Sequence, residues 1–174
     1  MISKTIKNAV IFGCKGPRLT EVEFDFFKET LPFGFILFSR NIINSKQVNE
    51  LCQSLRDAVG WYAPILIDQE GGRVNRLRNI VSFDNLTSDF FGKIYGEDVR
   101  KFRLYYKLFI DKTSYLLKSM GININTVPVL DLRVKGSSNV IGDRAFSKNP
   151  NIVQKIGSYC IDFFHKNRIG VITK

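Results

Sequence analysis

The chain has 174 residues, enough to bury a substantial core as one domain, and a composition that is 44% hydrophobic and 24% charged excludes disorder and collagen-like structure. No stretch is long and apolar enough to span a bilayer, and residues 1–14 hold a short apolar run but neither the h-region nor the cleavage site of a secretory leader. The net charge of +10 raises the question of an anionic partner, but the lysines and arginines are scattered along the chain, so neither a nucleic-acid nor a membrane partner is expected.

In chain order, residues 9–12 (Ala-Val-Ile-Phe) form the first predicted strand. Thr20-Glu21-Val22-Glu23 is a capping box that opens a helix carrying Phe24, Phe27 and Leu31, and Pro32 with Gly34 is expected to end it. The continuous apolar run 35–38 predicts a strand buried on both faces, as in parallel sheets. Asn44 and Gln47 give a second capping box, followed by Val48, Leu51, Cys52, Leu55 and Val59 on one helical face. Residues 64–67 are the third strand. Residues 78–98 read as a long loop with a short helix at most, because Asp, Asn, Ser and Gly interrupt any period. The next helix runs over 100–120 with Phe102, Tyr106, Phe109, Thr113, Leu116 and Met120 inward, and Gly121 stops it. A fourth strand is expected over 124–130. Asn149-Pro150 is an N-cap with proline at the first helical position, and Ile156, Cys160, Phe163 and Phe164 form that helix's buried face. Gly170-Val171-Ile172 starts a fifth strand.

Strands alternating with helices mean an α/β fold with a parallel sheet and right-handed crossovers. A doubly wound open sheet and a (β/α)8 barrel both fit this order. No G-x-G-x-x-G follows the first strand, and Gly13-Cys14-Lys15-Gly16 is only a weak echo of one. Polar residues stand after successive strands: Ser39-Arg40-Asn41, then Asp68-Gln69-Glu70-Gly71-Gly72-Arg73, then Asp131, then Lys174. In a barrel these strand ends would converge on one mouth. Asp68, beside a Gly-Gly turn, suits a carboxylate accepting from vicinal sugar hydroxyls, with a salt bridge or helix cap as the plain alternative. Glu70 has the spacing of a catalytic acid but reads better as a loop-stabilising acceptor. Arg144 offers a planar donor fork, or a surface pair with Asp143. His165, the single histidine, reads as a solvated helix-end residue. Cys14, Cys52 and Cys160 have no C-x-x-C spacing and suggest neither a disulfide framework nor zinc; they fit buried reduced thiols of a cytoplasmic protein.

The blocks 34–41 (Gly-Phe-Ile-Leu-Phe-Ser-Arg-Asn), 67–74 (Ile-Asp-Gln-Glu-Gly-Gly-Arg-Val), 128–131 (Pro-Val-Leu-Asp) and 142–144 (Gly-Asp-Arg) resemble, in order, the N-terminal half of glycoside hydrolase family 3. Within it they are most similar to bacterial cytoplasmic β-N-acetylglucosaminidases (β-hexosaminidases) of cell-wall recycling. The resemblance implies the N-terminal portion, about five βα units, of a (β/α)8 TIM barrel, with residues 1–174 as one domain that stops after the fifth strand. It implies removal of terminal N-acetylglucosamine from peptidoglycan fragments by a retaining mechanism. Asp68, Arg76, Arg144 and Lys174 correspond to the family's substrate-binding residues. The family's acid/base histidine and nucleophilic aspartate would lie beyond the C-terminus, so this chain carries no catalytic residue by that correspondence and is expected to be inactive by itself. No metal or organic cofactor is implied. Three expectations follow: a second chain completes the barrel, or the chain is a non-catalytic sugar-binding module, or it is an inactive relic.

Overall fold

The computed structural model describes residues 7–134 and 139–174. Part of the leader reading falls on residues 1–6, outside the described residues. The elements are β1 (Asn8–Phe12), α1 (Glu21–Thr30), β2 (Pro32–Leu37), α2 (Ser45–Val59), β3 (Ile65–Ile67), α3 (Ser88–Glu97), α4 (Val99–Ser119), β4 (Ile124–Asn125), α5 (Pro150–Lys166) and β5 (Gly170–Val171). All strand pairs are parallel, and spatial order equals chain order, β1-β2-β3-β4-β5. A sheet that advances one strand at a time in one direction is barrel topology. A doubly wound sheet would reverse its order.

Local chemistry explains most boundaries. Thr20 caps α1 in the full reciprocal box with Glu23. The end of α1 differs from expectation: Leu31 itself adopts a left-handed conformation (φ 45°) and its N–H bonds the Phe27 carbonyl. Pro32 then opens β2, and Gly34 lies within that strand, where an added Cβ would meet the Pro64 carbonyl oxygen at 2.8 Å. The second capping box forms only in part. Asn44 accepts from the Gln47 N–H, but Gln47 Oε1 accepts from the Ile43 N–H, one residue before the cap. Residues 78–98 are not a loop throughout: Thr87 caps the ten-residue α3, whose Phe91 and Ile94 are buried. β4 is shorter than expected. Pro128 has no N–H for the ladder, and backbone pairing with the fifth strand resumes through Lys174 N–H to the Pro128 carbonyl and Leu130 N–H to the Lys174 carbonyl.

The main core lies between the sheet and its helices. Phe35, Leu37, Ile65 and Ile67 meet Phe27, Leu51, Cys52, Leu55, Ile110 and Leu117 there, and Phe91, Phe102, Tyr106 and Phe109 stack beneath α3 to α5. All three cysteines are free and buried, and burial pushes the Cys52 and Cys160 thiols up to about 12. The other face of the sheet is separate. The registers Ile36↔Leu66, Leu66↔Ile124 and Ile124↔Gly170 put these residues in one layer, and side chains alternate along a strand. Two residues on, the same face presents Phe38, Asp68, Thr126 and Ile172, and two further Lys174. β1 and β5 are the edges of this sheet, with Ile11 and Ile172 exposed.

Candidate functional site

The loop after β3 is built before it can display anything. Asn125, fully buried at the end of β4, accepts from the Gln69 N–H and donates to the Gln69 carbonyl, both at 2.9 Å. Gln69 donates to Asn75 Oδ1 and accepts from the Leu77 N–H, and Asn75 donates to the Val81 carbonyl. Gly71 and Gly72 have positive φ, and a Cβ on either would strike Leu86 or Thr87. The stretch 68–77 is therefore a braced turn.

On that brace four strand-end side chains meet. Lys174 Nζ lies 2.6 Å from Asp68 Oδ1, 3.0 Å from Glu70 Oε1 and 3.1 Å from Thr126 Oγ1. Thr126 Oγ1 donates to the same Asp68 oxygen. Arg76 Nη2 reaches Asp68 Oδ2 in a long, 3.5 Å contact, and Arg76 Nε is buried with no hydrogen-bond partner. Arg144 forms a fork on Glu70, Nε to Oε2 at 2.8 Å and Nη2 to Oε1 at 2.9 Å. Burial pushes the Asp68 carboxyl upward, but the hydrogen bonds from Lys174 and Thr126 and the Lys174 and Arg76 charges outweigh it and hold Asp68 below its ordinary value. Glu70 raises the Arg144 guanidinium further.

The sequence-predicted residues Asp68, Arg76, Arg144 and Lys174 thus belong to one connected network. Four details correct the sequence reading. Arg144 pairs with Glu70, while Asp143 pairs with Arg73 at 3.0 Å. Glu70 ties two site cations together, which is more than holding its own loop. Arg40 does not join the mouth network: its Nε donates to the Cys14 carbonyl, and buried Asn41 braces the same loop. Asp131 is exposed, and the fourth strand's contribution is Thr126, which the sequence reading missed. Its signal was the polar pair Asn125-Thr126 inside an otherwise apolar run. His165 is exposed late in α5, as expected.

Residues 18–174 match the glycosyl hydrolase family 3 N terminal domain. The chain belongs to glycosyl hydrolase family 3. A β-hexosaminidase of Xanthomonas campestris pv. campestris is 31% identical over 166 residues, covering 95% of this chain and 49% of that protein. One from Bordetella avium is 35% identical over 148 residues, covering 83% and 41%. Crystal structures of NagZ from Neisseria gonorrhoeae superpose with TM-scores of 0.86 and 0.84 at 26% identity, covering 97% of this chain and 50% of theirs; one has a zinc ion and the other N-trifluoroacetyl-D-glucosamine bound. The chain spans about half the length of the relatives it matches. The five strands and the helices between them are therefore those of the N-terminal part of a family 3 (β/α)8 barrel, and the Asp68–Lys174 network sits at the C-terminal ends of the strands, where barrel enzymes build their sites.

Proposed function

We propose that residues 1–174 form one domain that supplies the sugar-gripping half of a β-N-acetylhexosaminidase site, with Asp68, Arg76, Arg144 and Lys174 as its substrate-binding residues. The observation that carries this reading is Asp68: a carboxylate at a strand end, kept ionised by two cations and a hydroxyl, next to a buried Arg76 Nε with no acceptor. An ionised carboxylate accepts from vicinal hydroxyls, and the partly exposed Arg76 guanidinium has further N–H groups to donate to a sugar oxygen. The sugar is terminal N-acetylglucosamine on peptidoglycan fragments, and the setting is cytoplasmic cell-wall recycling. The β-hexosaminidase relatives and the N-trifluoroacetyl-D-glucosamine bound to the gonococcal NagZ support the sugar assignment.

The bonds around the two site carboxylates argue against either as the catalytic pair. A general acid in a glycosidase needs a raised pKa, whereas Asp68 is held low. Glu70 has both oxygens engaged by Arg144 and Lys174. The acid/base and the nucleophile of a retaining mechanism are therefore assigned to residues outside 1–174, on a polypeptide carrying the remaining strands. Titrating isotope-labelled chain with N-acetylglucosamine tests the binding half. The expected result is saturable amide shifts confined to residues near Asp68, Thr126, Arg144 and Lys174, abolished by Asp68→Ala. Shifts that survive Asp68→Ala, or none in the folded wild-type chain, would overturn the assignment.

A further inference from the structure

The outer face of α4 is the least expected surface of the molecule. Its inner face is fully used, with Phe102, Tyr106, Phe109, Ile110, Thr113, Leu116 and Leu117 buried. On the opposite side, Leu104 and Leu108 are each 57% exposed and Tyr115 is 65% exposed. At 100° per residue these three, spaced i, i+4 and i+11, form one ridge pointing away from the sheet, with Asp111, at i+7, on the same strip between Leu108 and Tyr115. Arg100, Lys101, Arg103, Lys107, Lys112 and Lys118 are all exposed and flank the ridge on both sides. Tyr105, 43% exposed, lies beside it, with Lys101 Nζ 5.8 Å from its ring, and Lys112 Nζ is 5.8 Å from the Tyr115 ring. Asp111 is the helix's one acidic residue, and it is engaged by Lys107 and by Asn167 Nδ2 at 2.8 Å. Asp98, just before the helix, caps the first turn. α3 and α5 of this same chain flank α4, so the ridge is remote from the sheet edges and from the strand-end site.

We propose that this face of α4 docks on an anionic lipid surface. Single exposed leucines are ordinary, but an aligned leucine–tyrosine ridge bordered by six cations has the composition of helices that lie in a membrane interface, apolar side chains at the headgroup boundary and cations on the phosphates. A nucleic acid would use the cations and leave the leucines in water. The sequence reading expects no membrane partner, since the basic residues are scattered along the chain and no segment is long enough to cross a bilayer; among the described residues none of the helices is. Peripheral docking needs no such length.

The test is co-sedimentation of the 174-residue chain with vesicles of phosphatidylcholine alone and of phosphatidylcholine with phosphatidylglycerol. Binding is expected to the mixed vesicles and not to the neutral ones. Lys101→Glu with Lys112→Glu is expected to weaken it at least tenfold, on the order of the known contribution per basic residue at such a surface. Leu104→Ser with Leu108→Ser, which leaves the charge unchanged, is expected to weaken it about tenfold. Lys28→Glu with Lys46→Glu, on the exposed faces of α1 and α2, matches the charge change away from the ridge and is expected to have little effect. Three results would each overturn the proposal: no binding to anionic vesicles, equal loss from the α1/α2 control pair, or insensitivity to the leucine pair combined with equal retention on single-stranded RNA. The last would mark a general polyanion surface.

Discussion

Replacing Glu70 with glutamine isolates the contact that holds the strand-end site together. The side chain is only 3% exposed, and its carboxylate receives the Arg144 fork and the Lys174 ammonium. Each hydrogen bond to a charged group is worth about 1.5–3 kcal/mol, and a buried ion pair that loses one partner costs about 3–5 kcal/mol. Arg144 and Lys174 keep 20% and 32% side-chain exposure, so water recovers part of this, and the amide still accepts one bond. The expected net loss is about 2 kcal/mol. With a urea slope of about 2 kcal/mol per molar, the unfolding midpoint falls by about 1 M at unchanged slope. A double-mutant cycle with Arg144→Met is expected to show a coupling energy above about 1 kcal/mol. A midpoint shift below about 0.2 M, or additivity within about 0.3 kcal/mol, would refute the view that Glu70 organises the site.

Three further outcomes follow from the same geometry. Thr126→Val removes a donor to Asp68, so the Asp68 carboxyl titrates at higher pH than in the wild type, which carboxyl carbon chemical shifts measure directly. Because the folded Asp68 sits below its ordinary value of 3.8, it contributes stability that is fully present above that value and lost as pH falls through the depressed one; the drop in urea midpoint between about pH 6 and about pH 3 is therefore smaller in Asp68→Asn than in the wild type. Gly92→Ala places a methyl 1.7 Å from the Phe146 carbonyl oxygen, a backbone atom, and is expected to cost about 3 kcal/mol or more, read as a lowered Tm.

Much of this architecture was legible in the residues because local rules agreed with the global fold. The Thr20–Glu23 box, the Asn149-Pro150 start and the 48–59 apolar face all formed as read, since each depends on neighbours in sequence. The misses have tertiary causes. The full ten residues of α3, beyond a short helix within a loop, were hidden because Gly92 interrupts its composition, where it lets the Phe146 backbone approach. Leu31 could not be foreseen in a left-handed conformation, since packing against the core holds it there. In the site, resemblance pointed to Asp68, Arg76, Arg144 and Lys174, but the partners of Glu70 and Thr126 lie 48 to 104 positions away in sequence from the residues they join, so only the folded chain pairs them.

The most direct measurement is hydrolysis of a chromogenic aryl β-N-acetylglucosaminide by the purified chain, with and without a polypeptide carrying the remaining strands of a family 3 relative. Activity only in the mixture, abolished by Asp68→Ala, is the predicted result. Turnover by residues 1–174 alone, or a mixture indifferent to Asp68→Ala, would contradict the division between a sugar-gripping half and a catalytic half.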